Sequence, residues 1–338
     1  MFHPNKRFYI VTVLLFMFIL ALAACSQQEP VEVTRVVEVP GAEVEVTREV
    51  PVEVTRVVEV MMEPETAVSV IPFEEQWSSS PHADASAEAF NHWNEEDPQE
   101  VPTDCAKCHS TPGFMDYTGA DGSEAFVVDA PAPVGTVIEC QACHNDIVRH
   151  LDTVIFPSGV EVSGLEAEAR CMTCHQGRAS TVQVNENIAN AGLDPVTDLD
   201  TVSEDVGFTN IHYFAAAATQ YGNIAMGGYE YDGKAYDSKF DHVEGYDTCV
   251  SCHNPHTLEV KVDECQACHT DVETVDDFVD VRMQGSLVDY NGNGDLEEGI
   301  YYEIEGLRES LYTAMQMYAT EVAGSALVYD AASYPYFF

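Results

Sequence analysis

The sequence contains few basic residues: 14 lysines and arginines stand against 58 aspartates and glutamates in a chain of 338 residues. The formal net charge of −44 argues against nucleic acid or an anionic membrane surface as the main partner, because both repel an acidic protein. A solvated acidic surface explains this charge, and docking of a cationic partner is the alternative. The length allows one or two domains.

Long apolar runs are also absent, except at the N-terminus. There, Lys6 and Arg7 precede an apolar stretch that ends in Leu22-Ala-Ala-Cys25. This order is typical of a signal peptide, and its end resembles a bacterial lipobox, whose cysteine is lipidated. We predict that residues 1–24 are removed and that Cys25 anchors an exported protein on the outer face of the cell membrane or at the cell surface. The alternative is an uncleaved membrane anchor with an incidental cysteine.

Residues 25–75 are dominated by valine, glutamate, threonine and arginine, and the unit EVTRVVEV occurs at 32–39 and again at 53–60. Alternating Val and Glu would suit strands, but Pro40, Gly41 and Pro51 interrupt them. The repeats resemble the stalks of some bacterial lipoproteins. We predict a tether that carries no chemistry.

Residues 76–275 have few long periodic segments. Short helices are predicted over 82–94 and 211–222, and a hairpin over 154–162 around Pro-Ser-Gly. This is little regular structure for two hundred residues. We therefore expect a mostly helical and irregular chain with few short strands, whose interior is filled by something other than side chains.

The cysteines follow one pattern. Cys25 is the lipidation candidate, and the other ten form five CxxC pairs, each followed at once by histidine. The five units are Cys105/Cys108/His109, Cys140/Cys143/His144, Cys171/Cys174/His175, Cys249/Cys252/His253 and Cys265/Cys268/His269. With only 12 histidines in the chain, five out of five is not expected by chance.

The CxxCH spacing is that of covalent haem attachment. Two thiols on one helical turn add to the two vinyl groups of a haem, and the adjacent histidine reaches the iron as its proximal ligand. Zinc sites need converging pairs of CxxC units and do not require the histidine, and a thioredoxin-like pair needs a βαβ context that is absent. We predict five haems c, closely packed because the motifs begin only 35, 31, 78 and 16 residues apart.

Six histidines outside the motifs are candidates for the distal side of the irons, since His3 leaves with the signal peptide: His82, His92, His150, His212, His242 and His256. His82 and His92 are expected to serve different haems. The rigid Pro255 turns His256 away from the haem of His253 towards a neighbouring iron. His150 is the weakest candidate, because it lies beside Arg149 and could be a surface residue.

CAKCHS at 105–110, CMTCHQGR at 171–178, NIHYFAAAA at 210–218, CVSCHNPHT at 249–257 and DYNGNGDLEEGIYYEIEGL at 289–307 resemble exported multihaem c-type cytochromes of respiratory bacteria. The resemblance covers about 78–338 and implies an electron carrier. It also implies that His82, His92, His212, His242 and His256 are distal ligands, and leaves His150 in doubt. Related chains continue after an aromatic segment like YPYFF into helices with another histidine, so we expect that this chain, ending at Phe338, could lack one distal ligand.

Residues 276–338 contain a calcium-loop-like segment and a helix. Asp289, Asn291, Asn293, Gly294 and Asp295 follow the first half of a calcium loop, but position twelve is Ile300, and Glu297, Glu298 or Glu303 would have to substitute. A plain Asn-Gly turn is the alternative. From residue 300, apolar residues recur every three or four positions, which predicts an amphipathic helix packed on the core.

The sequence thus predicts an exported, lipid-anchored pentahaem cytochrome c that carries electrons to redox partner proteins or extracellular acceptors. Haem iron is expected to be the only redox agent, with low potentials and every iron six-coordinate. Two alternatives stay open. One is a reductase with a five-coordinate haem, and the other is a subunit of a cytochrome filament, in which a histidine of one copy ligates a haem of the next.

Overall fold

The computed structural model describes residues 70–327 and 329–330. The predicted signal peptide, Cys25, residues 26–69 of the predicted tether and the aromatic segment at 334–338 lie outside the described residues. Residues 70–75, at the end of the predicted tether, are described, and a helix begins there at Glu74. Within the part that is described, no helix combines the length and the apolar character needed to cross a bilayer.

Short helices joined by irregular segments make up most of the described chain. The α-helices are α1 (Glu74–Ser78), α2 (Glu88–Asn91), α3 (Thr103–His109), α4 (Thr111–Tyr117), α5 (Cys140–Cys143), α6 (Glu168–His175), α7 (Thr181–Asn190), α8 (Ala216–Tyr221), α9 (Cys249–Cys252), α10 (Val262–Cys265) and α11 (Ile300–Tyr318). Single 3₁₀ turns span Pro81–Ala83 and Val148–His150, and a two-turn 3₁₀-helix spans Val275–Asp280. A π turn, Ala319–Ala323, follows α11. The expected mostly helical and irregular chain is confirmed.

Two small antiparallel sheets complete the fold. β1 (Glu100–Val101) pairs with β2 (Ala132–Pro133), and β3 (Thr153–Ile155) pairs with β4 (Glu161–Ser163). The second pair is the hairpin predicted around Pro-Ser-Gly. Its turn closes through the Gly159 N–H, which donates to the Phe156 carbonyl at 2.8 Å, and Gly159 has the positive φ of 84° that favours glycine.

Two helix predictions were too long. Over 82–94 the chain forms the turn Pro81–Ala83 and then α2, because the Asp84 carboxylate accepts the N–H and the hydroxyl of Ser86 and so holds a turn between them. Over 211–222 only α8 forms, because His212 and Phe214 have φ values of 84° and 52°, in the left-handed region.

The hydrophobic interior of the described residues is divided into small clusters. The largest surrounds Phe156, Met172 and Tyr221 beneath the β3–β4 hairpin. Two smaller clusters centre on Val101 and on Phe114. Each cluster includes a residue from inside one of the first three CxxCH motifs: Met172 in the largest, Ala106 in the second and Ala142 in the third. These three motif helices therefore take part in ordinary side-chain packing.

The C-terminal helix forms as predicted, but its apolar stripe does not pack on the core. Ile304, Leu307 and Leu311 are 55%, 46% and 61% exposed. The helix is anchored instead by Glu303, which lies beside the stripe, is fully buried and forms an ion pair with Arg282 at 2.8 Å. Periodicity predicts which residues share a face, whereas a charged residue beside that face attaches this helix to the rest of the fold.

Candidate functional site

The five CxxCH motifs adopt the same local fold. Each begins on a helix or helical turn, with the first three on α3, α5 and α6 and the last two on α9 and at the end of α10. In motifs two, four and five the histidine N–H donates to the carbonyl of the first cysteine at 2.8–2.9 Å, which closes one helical turn. Both thiols and the imidazole of a motif therefore project from a single turn.

Four of the five motif histidines lie opposite a histidine from elsewhere in the chain. The ring centres are 5.8 Å apart for His109–His212, 6.1 Å for His269–His242, 6.2 Å for His144–His256 and 6.3 Å for His175–His82. These separations fit a metal between the rings, since two metal–nitrogen bonds of about 2 Å and about 1 Å from each nitrogen to its ring centre add up to about 6 Å.

Hydrogen bonds fix the tautomer of three motif histidines. In each, Nδ1 lies within hydrogen-bond distance of a backbone carbonyl oxygen. The pairs are His109 with Ala89 at 2.7 Å, His175 with Phe214 at 3.1 Å and His253 with Leu258 at 2.9 Å. Since a carbonyl only accepts, Nδ1 carries the proton and Nε2 is left with a free lone pair. Metal-ligating histidines commonly have such a partner. Sequence reasoning missed these acceptors, because backbone atoms carry no sequence signal.

Burial keeps several of these imidazoles neutral, as metal ligation requires. Burial, and then the neighbouring His175, lower the pKa of His82 to about 4. Burial also lowers the pKa of His109 and of His212, with a smaller contribution to both from the cationic Arg178. Arg178 follows the third motif in sequence, but it lowers the pKa of histidines at the first motif. Its position in the sequence does not predict this effect.

Three histidines have no histidine ring opposite them among the described residues: His92, His150 and His253. His92 is exposed, its ring contacts Trp93 at 4.9 Å, and its Nδ1 lies 2.8 Å from a Glu88 carboxylate oxygen. His150 is exposed at the end of the turn Val148–His150, whose first residue is buried. His253 is oriented like the other proximal candidates. The distal role predicted for His92 stays a prediction, and His150, the weakest candidate, stays in doubt.

The residues of different motifs lie close together. The Cys108 thiol approaches the backbone carbonyl of Cys174 at 3.9 Å, and the thiols of Cys171 and Cys249 are neighbours. The neighbouring Cys249 thiol, acting against burial, lowers the pKa of Cys171 to about 7, and Cys171 in turn raises the pKa of Cys249. All ten cysteines in the described part are free thiols, and no three or more His, Cys, Asp or Glu side chains there are arranged to hold a metal ion.

The predicted calcium loop is folded through its own hydrogen bonds. The Asp289 carboxylate accepts the N–H groups of residues 292, 293 and 294, and Asp295 accepts those of residues 297 and 298. Glu298 accepts the side-chain amides of Asn291 and Asn293 at 2.8 and 2.9 Å.

Of the three glutamates considered for this loop, Glu303 is engaged elsewhere. Its carboxylate binds Arg282 and the N–H groups of Tyr290 and Asn291. The calcium site at Asp289, Asn291, Asn293 and Asp295 stays a prediction.

No protein-family model, curated protein or solved structure matches the chain.

Proposed function

We propose that this chain binds five haems c through its CxxCH motifs and transfers electrons outside the cytoplasm. The observation that supports this most is the pairing of four motif histidines with four histidines from other segments, at ring separations of 5.8–6.3 Å. A CxxCH motif alone requires only a proximal histidine. A second imidazole facing it at this separation is the arrangement expected of bis-histidine ligation.

The residues of the chain prepare these sites for ligation. When bound, haem iron supplies reversible exchange between the ferric and ferrous states. The carbonyls of Ala89 and Phe214 hold the Nδ1 protons of His109 and His175, so both imidazoles present Nε2. Burial keeps His82 and His212 neutral. Two imidazoles held by separate segments restrict rearrangement at each site, which suits an electron carrier more than an enzyme.

Charge and anchoring define the setting of the proposed carrier. A formal net charge of −44 and histidine ligation favour the ferric state, so midpoint potentials should be low. The N-terminal signal, with Cys25 as its lipidated cysteine, would tether the protein to the membrane exterior. Redox partner proteins or extracellular electron acceptors are the proposed partners, and the acidic surface disfavours nucleic acid.

Mass spectrometry tests the attachment. Protein from a host with cytochrome c maturation should retain five haems after denaturation, together with acyl mass on Cys25. A variant with Cys265→Ser and Cys268→Ser should retain four. Four or fewer haems in fully matured wild-type protein would refute the proposed set. Redox titration is the second test, and midpoints mainly well above zero against the hydrogen electrode would contradict the low-potential carrier.

A second function, subunit of a cytochrome filament, is favoured by the contrast between two histidines. His253 is oriented by the Leu258 carbonyl but has no histidine ring opposite it among the described residues. His92 is 52% exposed, has its Nδ1 beside the Glu88 carboxylate and is likewise unpaired with a motif histidine. A His92 of one copy reaching the His253 site of the next would complete the fifth pair.

Electron paramagnetic resonance of the oxidised protein separates the alternatives. A filament predicts that one iron in five is high-spin in dilute monomer and becomes low-spin on assembly, and that His92→Ala keeps it high-spin. A high-spin iron that persists in assembled protein and binds small oxyanions would instead favour the reductase. Five low-spin irons in a strictly monomeric protein would favour the electron carrier over both alternatives.

A further inference from the structure

The helix α6, which carries the third motif, contacts the first motif through two reciprocal interactions. The Cys174 thiol donates to the Lys107 carbonyl at 3.6 Å, and the Cys108 thiol approaches the Cys174 carbonyl at 3.9 Å. These residues lie 66 and 67 positions apart in the chain. The second cysteine of motif one and the second cysteine of motif three are therefore side by side.

The same helix contacts the fourth and second motifs. Glu168, in the first turn of α6, accepts the backbone N–H of Cys249 at 2.9 Å and its thiol at 3.2 Å. Arg170, one residue before the motif, donates to the Cys143 carbonyl at 3.5 Å. Three of the four other motifs thus meet α6, and the contacts to motifs one and four use opposite ends of the helix.

The fifth motif is attached elsewhere. The Lys261 N–H donates to the Cys252 carbonyl at 2.8 Å, and the Cys265 thiol donates to the Lys261 carbonyl at 3.6 Å. One residue therefore connects motif five to motif four. Among the described residues, no hydrogen bond joins α6 to residues 265–269.

We infer that the third motif is the junction of the electron path: its haem neighbours those of motifs one, two and four, and the fifth is reached through the fourth. This rests on the proposed function. A thioether joins a cysteine to the edge of its haem, so cysteines in contact bring two haem edges together. The order along the path therefore differs from the order in sequence, because motif one meets motif three directly.

Methionine substitutions of the distal candidates can test this order, because a methionine ligand raises the potential of its iron and so labels it. His212→Met, His82→Met and His242→Met label the sites of motifs one, three and five. Potentiometric electron paramagnetic resonance of the full-length, haem-loaded protein then gives the midpoint of each labelled iron, alone and in pairs. Retention of five haems by mass is the folding control.

The inference predicts that the midpoints of the two labelled irons depend on each other in one double variant and are independent in another. In His82→Met with His212→Met, reduction of one labelled iron should lower the midpoint of the other, because the added electron repels the second at short range. In His212→Met with His242→Met, each midpoint should equal its single-variant value. Equal or stronger coupling in the second pair would overturn the inference.

Iron positions in the unmodified protein provide a second measurement if a labelled variant fails to fold. In a structure of the haem-loaded protein, the third iron should have three near neighbours and the fifth only one. A linear order following the sequence would overturn the inference while leaving the proposed function intact. Wild-type protein that binds no haem would instead refute the proposed function itself.

Discussion

The imidazole rings of His144 and His256 lie 6.2 Å apart, with their planes inclined by only 6°. His144 closes the second motif, whereas His256 lies just after the fourth. The ring of Phe73 stacks on His256 at 4.7 Å and 11°. The pairing follows the expectation that His256 turns away from His253, and it identifies the second motif as the one that His256 faces.

Replacing His256 should change one iron without unfolding the protein. We expect His256→Met to raise the midpoint of one haem by on the order of 100 mV, because thioether ligation stabilises ferrous iron. His150→Met is the matched control and should leave all midpoints unchanged, since His150 is exposed and none of the histidine pairs among the described residues includes it. Equal shifts in the two variants would contradict the assignment of His256.

Arg178 should tune the first site. A nearby cation stabilises the reduced, less positive iron, so Arg178→Gln should lower the midpoint of the haem held by His109. Redox titration of a His212→Met background, in which this iron is labelled, measures the shift. Arg149→Gln, which also removes an exposed arginine, is the control. A rise in the midpoint on removal of Arg178 would exclude this role.

Gly113 permits the close packing of α4 on the first motif. A Cβ at this position would lie 2.3 Å from the carbonyl oxygen of Ala106, in α3 between the two cysteines of motif one. Gly113→Ala should therefore lower the free energy of unfolding by about 1–3 kcal/mol. Gly207→Ala, where a Cβ meets nothing within 4 Å, should have little effect in the same denaturation experiment. If the two variants had the same free energy of unfolding, the close packing of α4 on α3 would not contribute to stability.

The Arg282–Glu303 pair should make stability depend on pH. Burial alone would raise the pKa of Glu303, but hydrogen bonds from Arg282, Asn291 and Tyr290 outweigh it and hold the pKa below its usual value. A carboxyl with a lowered pKa stabilises the fold above its unfolded pKa, and this stability is lost as the pH falls through the lowered value.

Thermal unfolding across pH tests this pair. Glu303→Gln should melt well below the wild type at pH 7, and the difference should shrink below about pH 4.3, the ordinary pKa of glutamate. Glu305→Gln, which removes the exposed pair with Arg308, should change the melting temperature little at either pH. If the difference in melting temperature between Glu303→Gln and the wild type did not vary with pH, ionisation of Glu303 would not be the source of the stability.

The calcium prediction has a direct test. If Asp289, Asn291, Asn293 and Asp295 hold Ca²⁺, chelation should lower the melting temperature, because the Asp289 and Asp295 carboxylates repel each other without the ion. A variant with Asp289→Asn and Asp295→Asn should no longer respond to chelation. If the wild type does not respond either, the loop is a turn held by its Asx hydrogen bonds.

Local sequence patterns determined several elements without reference to the rest of the fold. The spacing of two cysteines and a histidine makes each motif a single helical turn, because a turn needs only residues close in sequence. The hairpin at 154–162 and the helix from residue 300 follow likewise from turn residues and periodicity. The sequence also limits the candidate partners of the five motif histidines to the few histidines outside the motifs.

Only the tertiary structure decided which histidines meet. His82 faces the third motif and His212 the first, and these pairings depend on long-range packing that no local pattern encodes. The carbonyls that orient His109, His175 and His253 are backbone atoms, which any residue provides. The exposure of the apolar stripe of α11 and the central place of α6 arise for the same reason: both depend on contacts between segments far apart in the chain.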